Sequence, residues 1–309
     1  MRLRLTSGLL IFASMAVGQQ QQAEEQPVFR TGVAYVRLDV QVSEAKRLIP
    51  GLTKDDFAVF DEGAPQKIEY FGRETDPLWA LLLLDVSGSM RPRVQEMGQA
   101  AREALRVLGA EDHMAVMLFG AKTKLTQDFT SSYDQASGAI LAASRDGSLT
   151  AGSSINPAIL DAAKLMKEKA ANQPGRRAII VLTDNEGLNY QASDEETIAA
   201  LQAADSVLNG ILTAKAKPPK PWGNGNPDFC PNDVFKLAKA TGGETLQGDK
   251  SGMVFREMME RIRTRYSLHY RAPEAAAGSQ RRIRVELSAD ARRRYPKAEV
   301  RTRSGYTAQ

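Results

Sequence analysis

The chain has 309 residues, 42% of them hydrophobic and 25% charged, with a formal net charge of +4. That length can bury the core of one large domain or two modest ones, and the ordinary composition excludes a chain disordered throughout. The single cysteine, Cys230, excludes an internal disulfide and reads as a small half-buried residue rather than a working thiol.

At the start, Arg2 and Arg4 precede an apolar run over residues 9–17, with Ala16 and Gly18 at −3 and −1 of a cleavage point before Gln19. This is the pattern of a signal peptide over residues 1–18, its apolar run too short to span a bilayer. No later stretch has the length and apolarity of a transmembrane helix, and no cysteine near the cleavage point could accept a lipid. The expectation is an exported protein, periplasmic or secreted. The Gln/Glu-rich residues 19–27 read as a flexible leader.

Residues 28–76 read as an N-terminal β segment. Val36, Leu38, Val40 and Val42 alternate with polar residues, and shorter strands at 57–60 and 67–71 flank the turn-like Asp61-Glu62-Gly63. A polar stretch ending in Pro77 marks a boundary. From there to residue 263 the rhythm is strand, helix, strand, helix. Val94, Met97, Ala101, Leu105 and Leu108 keep a 3.6-residue period, and apolar strands lie at 114–119, 178–182 and 207–213. Residues 125–129 read as an edge strand, and helices are expected at 155–171, 195–204, 234–240 and 253–263. Such alternation implies a mostly parallel, doubly wound, Rossmann-like sheet covered on both faces.

Strand character returns over residues 264–309, at 266–270, 282–287 and 298–303. Strands flanking an α/β core on both sides bury their apolar faces most economically against each other. One accessory β-rich domain built from both termini is therefore expected, with two separate extensions of the central sheet as the competing layout. From Arg261 onward there are 13 Lys/Arg against 4 Asp/Glu, so the rest of the chain is net acidic. Because Ile283, Val285 and Leu287 alternate with Arg282, Arg284 and Glu286, that basic excess reads as a solvated strand face rather than a nucleic-acid surface.

The most informative stretch is 81–90, Leu-Leu-Leu-Leu-Asp-Val-Ser-Gly-Ser-Met. A strand buried on both faces ends in Asp85, Ser87 and Ser89, on a turn that opens a helix. In open α/β sheets ligands bind at that end, and hard cations such as magnesium prefer oxygen ligands of this kind. A serine-rich turn before a helix can equally be an N-cap. A second carboxylate, Asp184, ends the buried strand 178–182, and the hydroxyl-rich residues 149–156, with Ser153, lie between the two.

The ordered trio resembles the metal-ion-dependent adhesion site of von Willebrand factor type A (VWFA) domains, Asp-x-Ser-x-Ser, then Thr, then Asp. By position Asp85, Ser87 and Ser89 match the first loop, Ser153 the threonine and Asp184 the last aspartate, with Ser154 the alternate donor if the register slips. The resemblance covers residues 78–263. Residues 51–57 (Gly-Leu-Thr-Lys-Asp-Asp-Phe), 61–63, 264–266 and 301–306 extend it toward an exported bacterial VWFA-related family. Serine replaces threonine at 153 and loses the methyl that stiffens the rotamer. Asn185 stands where glycine commonly follows the aspartate.

The resemblance implies a divalent ion, usually magnesium, with manganese or calcium as alternatives. Ser87, Ser89 and Ser153 would ligate it directly, and Asp85 and Asp184 directly or through water. A partner protein's Asp or Glu carboxylate would complete the coordination. Trp222, in a loop after the 207–213 strand, and Asn185 are the candidate partner contacts; Trp222 packed in its own domain is the competing reading. The rival function is a hydrolase using the same rim. Its nucleophile elbow wants Gly-x-Ser-x-Gly, where Asp85 takes the first glycine's place, and only His113 and His269 could act as bases.

Overall fold

Burial on both faces of the strand Leu78–Asp85 sets the architecture. Residues 78 and 80 to 85 are each fully buried. The computed structural model describes residues 35–72, 76–149, 152–186, 188–189, 192–219, 230–231 and 233–308. A six-stranded sheet runs in the order Thr245–Gln247, Val207–Leu212, Arg176–Thr183, Leu78–Asp85, His113–Phe119, Thr123–Thr130. All neighbours are parallel except the last, antiparallel edge pair.

Because side chains alternate across a strand, the same residues supply both cores. Leu78, Ala80, Leu82 and Leu84 pack with the helices Arg91–Ala104, Tyr133–Ala143 and Ser251–Arg263. Leu81 and Leu83 face the other layer, which includes the helices Ile155–Ala170, Asp194–Ala203 and Val234–Thr241. The helix Tyr133–Ala143 was not anticipated from the sequence, since its buried face is Ala136, Ile140 and Ala143, mostly small residues. It lies so close to its neighbour that a Cβ on Gly98 would sit 2.7 Å from Leu141 Cα.

The two ends of the described chain form the accessory β-rich layer. Tyr35–Glu44 pairs with Tyr266–Arg271 and Glu299–Arg301, and Phe57–Asp61 pairs with Gln280–Leu287. The two antiparallel sheets share one apolar core, in which Val36, Leu38 and Val40 meet Leu268, Val285 and Leu287. Asp61 is fully buried there and accepts hydrogen bonds from the hydroxyls of Tyr270 at 2.8 Å and Tyr306 at 2.9 Å, and it pairs with Arg281 at 2.7 Å. Among the described residues no helix is long and apolar enough to cross a membrane. Residues 1–34, where the leader readings fall, lie outside the described residues.

Gly242 couples the β-rich layer to the α/β part. It caps the helix Val234–Thr241 at φ 82°, and a Cβ there would meet the backbones of Thr302 and Arg303 at 2.4 Å. Gly242→Ala combines left-handed strain with that overlap, and is expected to lower the unfolding free energy by about 2–4 kcal/mol in urea titrations.

His269 is half-buried against Tyr70, the rings 4.6 Å apart. Burial first, then the charge of Arg37, pushes its pKa down to about 4. The folded state thus refuses a proton that the unfolded chain accepts near pH ~6.5. Stability is therefore expected to fall by roughly 2 kcal/mol between about pH 6.5 and 4, after discounting for partial exposure. His269→Gln should flatten that part of the profile of unfolding free energy against pH.

Candidate metal centre

Every sequence-predicted ligand lies at the carboxyl edge of the central sheet. Asp85 ends its strand fully buried, Ser87, Ser153 and Asp184 are half-buried, and Ser89 is exposed, so the group opens from the core to solvent. Asp85 Oδ1 accepts the Ser87 backbone N–H at 3.0 Å and the Ser153 hydroxyl at 3.3 Å. Ser89 Oγ donates to Asp184 Oδ2 at 2.8 Å and lies 3.4 Å from Ser87 Oγ. The other Asp184 oxygen accepts the Glu186 N–H at 3.1 Å.

These hydroxyls do not cap helices. The helix Arg91–Ala104 begins after Met90 and the helix Ile155–Ala170 after Ser154, each without a side-chain cap hydrogen bond. Ser132, Ser193 and Ser288, by contrast, cap their helices through their side chains. Ser154 holds its loop by donating its backbone N–H to Gly120 O at 3.0 Å, whereas Ser153 turns its hydroxyl to Asp85.

A residue given no role at the sequence level completes the floor. Buried Thr183 donates to Asp85 Oδ2 at 2.8 Å and accepts the Asn185 N–H at 3.2 Å. Its position beside Asp184, at the end of a buried strand, was the available signal. Asn185 sits at φ 62°, the left-handed region that accounts for glycine commonly standing at this slot. Its amide donates to Lys217 O at 3.1 Å and accepts the Val234 N–H at 3.0 Å, so both ends are engaged inside the domain. The bond to Lys217 also brings the start of the Trp222 loop to this rim; Trp222 itself lies outside the described residues.

Burial pushes the Asp85 carboxyl above the usual range, with the neighbouring charge of Asp184 adding to it against hydrogen bonds from Ser87 and Thr183. Hydroxyls and backbone amides meet the hydrogen-bonding needs of both carboxylates without supplying positive charge. Among the described residues no cluster of three or more His, Cys, Asp or Glu could hold a metal, so an ion here must draw on the serines. Two carboxylates and three hydroxyls fit a hard divalent cation such as magnesium, which keeps some positions for water or a partner.

An oxygen-only rim on a doubly wound sheet defines the class as a Rossmann-like α/β domain with its site at the strand ends. Residues 80–187 match the von Willebrand factor type A domain model. Three solved structures illustrate the likeness. Proximal thread matrix protein 1 from the mussel byssus, with zinc occupying its MIDAS motif, is 16% identical at TM-score 0.50, over 67% of this chain and 50% of that one. An aerotolerance-related membrane protein from Bacteroides fragilis is 18% identical at TM-score 0.46, over 60% and 98%. A von Willebrand factor type A protein from Catenulispora acidiphila is 11% identical at TM-score 0.45, over 91% and 76%. No curated protein matches the chain.

Asn185→Ala removes both amide bonds while keeping a side chain at positive φ. It is expected to lower stability by about 2–4 kcal/mol, read from urea unfolding.

Proposed function

We propose that the chain is an exported, metal-dependent protein-binding module in which a divalent ion at the Asp85 rim takes a carboxylate from a partner protein. Serine hydroxyls aimed at the two carboxylates, where other serines of the same chain cap helices, carry this reading. Ser87, Ser89 and Ser153 would ligate the ion, and Asp85 and Asp184 would hold it directly or through water. Magnesium is the preferred ion from the oxygen donors, with manganese or calcium as alternatives. Zinc at the MIDAS motif of the mussel protein supports a divalent ion on this fold. Neutral hydroxyls leave such an ion electron-poor, which favours an Asp or Glu side chain of a partner as the added ligand.

Export rests on the signal-peptide pattern of residues 1–18, and periplasmic and secreted destinations both fit it. Trp222 remains a candidate partner contact because its loop starts beside Asn185. The hydrolase alternative needs a base at the rim. His113, stacked on Trp79 at 4.2 Å, stands at the other end of its strand, in register with Trp79 rather than with Asp85. His269 lies in the β-rich layer. Six residues of strand separate His113 from the rim position beside Asp85, roughly 20 Å, too far for proton transfer to Ser87. A binding role is therefore preferred to an enzymatic one.

Titration calorimetry with magnesium tests the ion. The unaltered protein is expected to bind it, while Asp85→Ala and Asp184→Ala, checked for folding by circular dichroism, should bind roughly tenfold or more weakly. Unchanged binding in both variants would overturn the reading.

A further inference from the structure

At the opposite end of the central sheet from Asp85, the amino ends of Arg176–Thr183 and Val207–Leu212 meet the β-rich layer around a cavity of about 30 Å3. Four arginines line it, Arg37, Arg176, Arg177 and Arg303, together with Asp39 and Asp205. The carboxylates are oversubscribed. Asp205 is shared by Arg177 at 3.1 Å, Arg303 at 3.3 Å and Arg37 at 4.0 Å, while Asp39 is paired with Arg265 from outside the cavity.

Part of the excess is offset by helix ends. Arg176 donates to Ile262 O at 2.8 Å and Arg263 O at 3.2 Å, and Arg177 to Ala170 O and Ala171 O at 2.6 and 3.0 Å. A helix carboxyl end is worth about half a negative charge, and Asp76 also acts on Arg176 and His269, so about one positive charge stays uncompensated. Two of the lining guanidiniums also keep a donor in hand. The Nε–H groups of Arg176 and Arg303 are buried without a hydrogen-bond partner, and Arg176 is only 5% exposed. His269, another lining residue, is pushed down first by burial and then by the charge of Arg37, with Asp76 pulling the other way.

A water molecule could accept from an idle donor but would leave the charge standing, whereas an anion answers both needs. A water needs about 10–15 Å3 of such space, so a chloride-sized ion fits, and an excess of about one charge matches a monovalent ion rather than a phosphate or sulfate. We infer that this cavity binds a small monovalent anion of chloride size, which clasps the β-rich layer to the α/β domain. Arg37 comes from the first strand described and Arg303 from beyond the strand Glu299–Arg301, so the ion ties both ends of the described chain to the underside of the sheet. This site is independent of the metal at the other rim.

Thermal unfolding of the full chain in sodium chloride and in sodium gluconate, at equal ionic strength, tests the inference. Screening is then matched, and gluconate is too large to enter. At tenfold saturation chloride should raise the Tm by roughly 3 °C over gluconate, and the difference should vanish in Arg303→Gln. Crystals of the unaltered protein grown in bromide should show an anomalous peak among Arg37, Arg176 and Arg303, a result that needs no variant. Equal Tm values in the two salts, the same chloride effect in Arg303→Gln, or water alone in the bromide crystals would each overturn it.

Discussion

Everything in this molecule is arranged around a strand that water reaches on neither face. Leu78–Asp85 has parallel neighbours on both edges and a helical layer on each side. Its last residue is a carboxylate at 0% exposure. Burying a carboxylate is costly unless its oxygens are bonded and its charge is answered. Ser87, Ser153 and Thr183 provide the bonds. None provides charge, and Asp184 nearby adds more of the same sign. A cation is the group such an environment lacks, so this fully buried acid is also the natural floor of the candidate metal site.

A second electrostatic pattern holds the chain's two ends to its middle. The basic excess after Arg261 is not gathered into one surface. Arg265 reaches Asp39, Arg281 reaches Asp61, Arg294 reaches Asp56, Arg301 reaches Glu244 and Arg303 reaches Asp205. Several of these acids are deeply buried, Asp61 and Glu244 among them. Breaking one partner of such a pair typically costs about 3–5 kcal/mol, because the other is left charged and dry. These pairs therefore specify how the terminal strands dock. They also explain why charge is so uneven along a chain whose net charge is only +4.

The fold class was legible because two periods, 2 for half-buried strands and 3.6 for helices, change at Pro77 and again near Arg263. The mostly parallel sheet, the edge strand near residues 125–129 and the joining of both ends of the described chain into one β-rich layer follow from patterning and from the need to cover apolar faces, whereas the strand order and the antiparallel direction of that edge come from the structure. What escaped the pattern is instructive. The helix Tyr133–Ala143 hides behind small residues, and the short Ala289–Arg294 helix and Thr245–Gln247 strand are too brief for any period to register.

The candidate site divides the same way. Asp85, Ser87, Ser89, Ser153 and Asp184 could be named from the sequence, since strand ends in a parallel sheet share one rim and order along the chain tells which loops meet there. Local chemistry could not decide whether the serines cap helices or face the carboxylates, because both roles use the same residue type beside the same kind of turn. Only the packed structure separates them, by where each hydroxyl points. Asn185 was ambiguous for a related reason. Its positive φ and its bonds to Lys217 and Val234 are set by segments tens of residues away. The arginines around Asp205 are the extreme case, for Arg37, Arg177 and Arg303 are scattered over the chain and become one charged cavity only when both ends of the described chain close against the sheet. Periodicity and motif spacing, which act over a few residues, are written in the sequence; charge balance in a buried space depends on which distant groups share it, and that is decided by the tertiary fold.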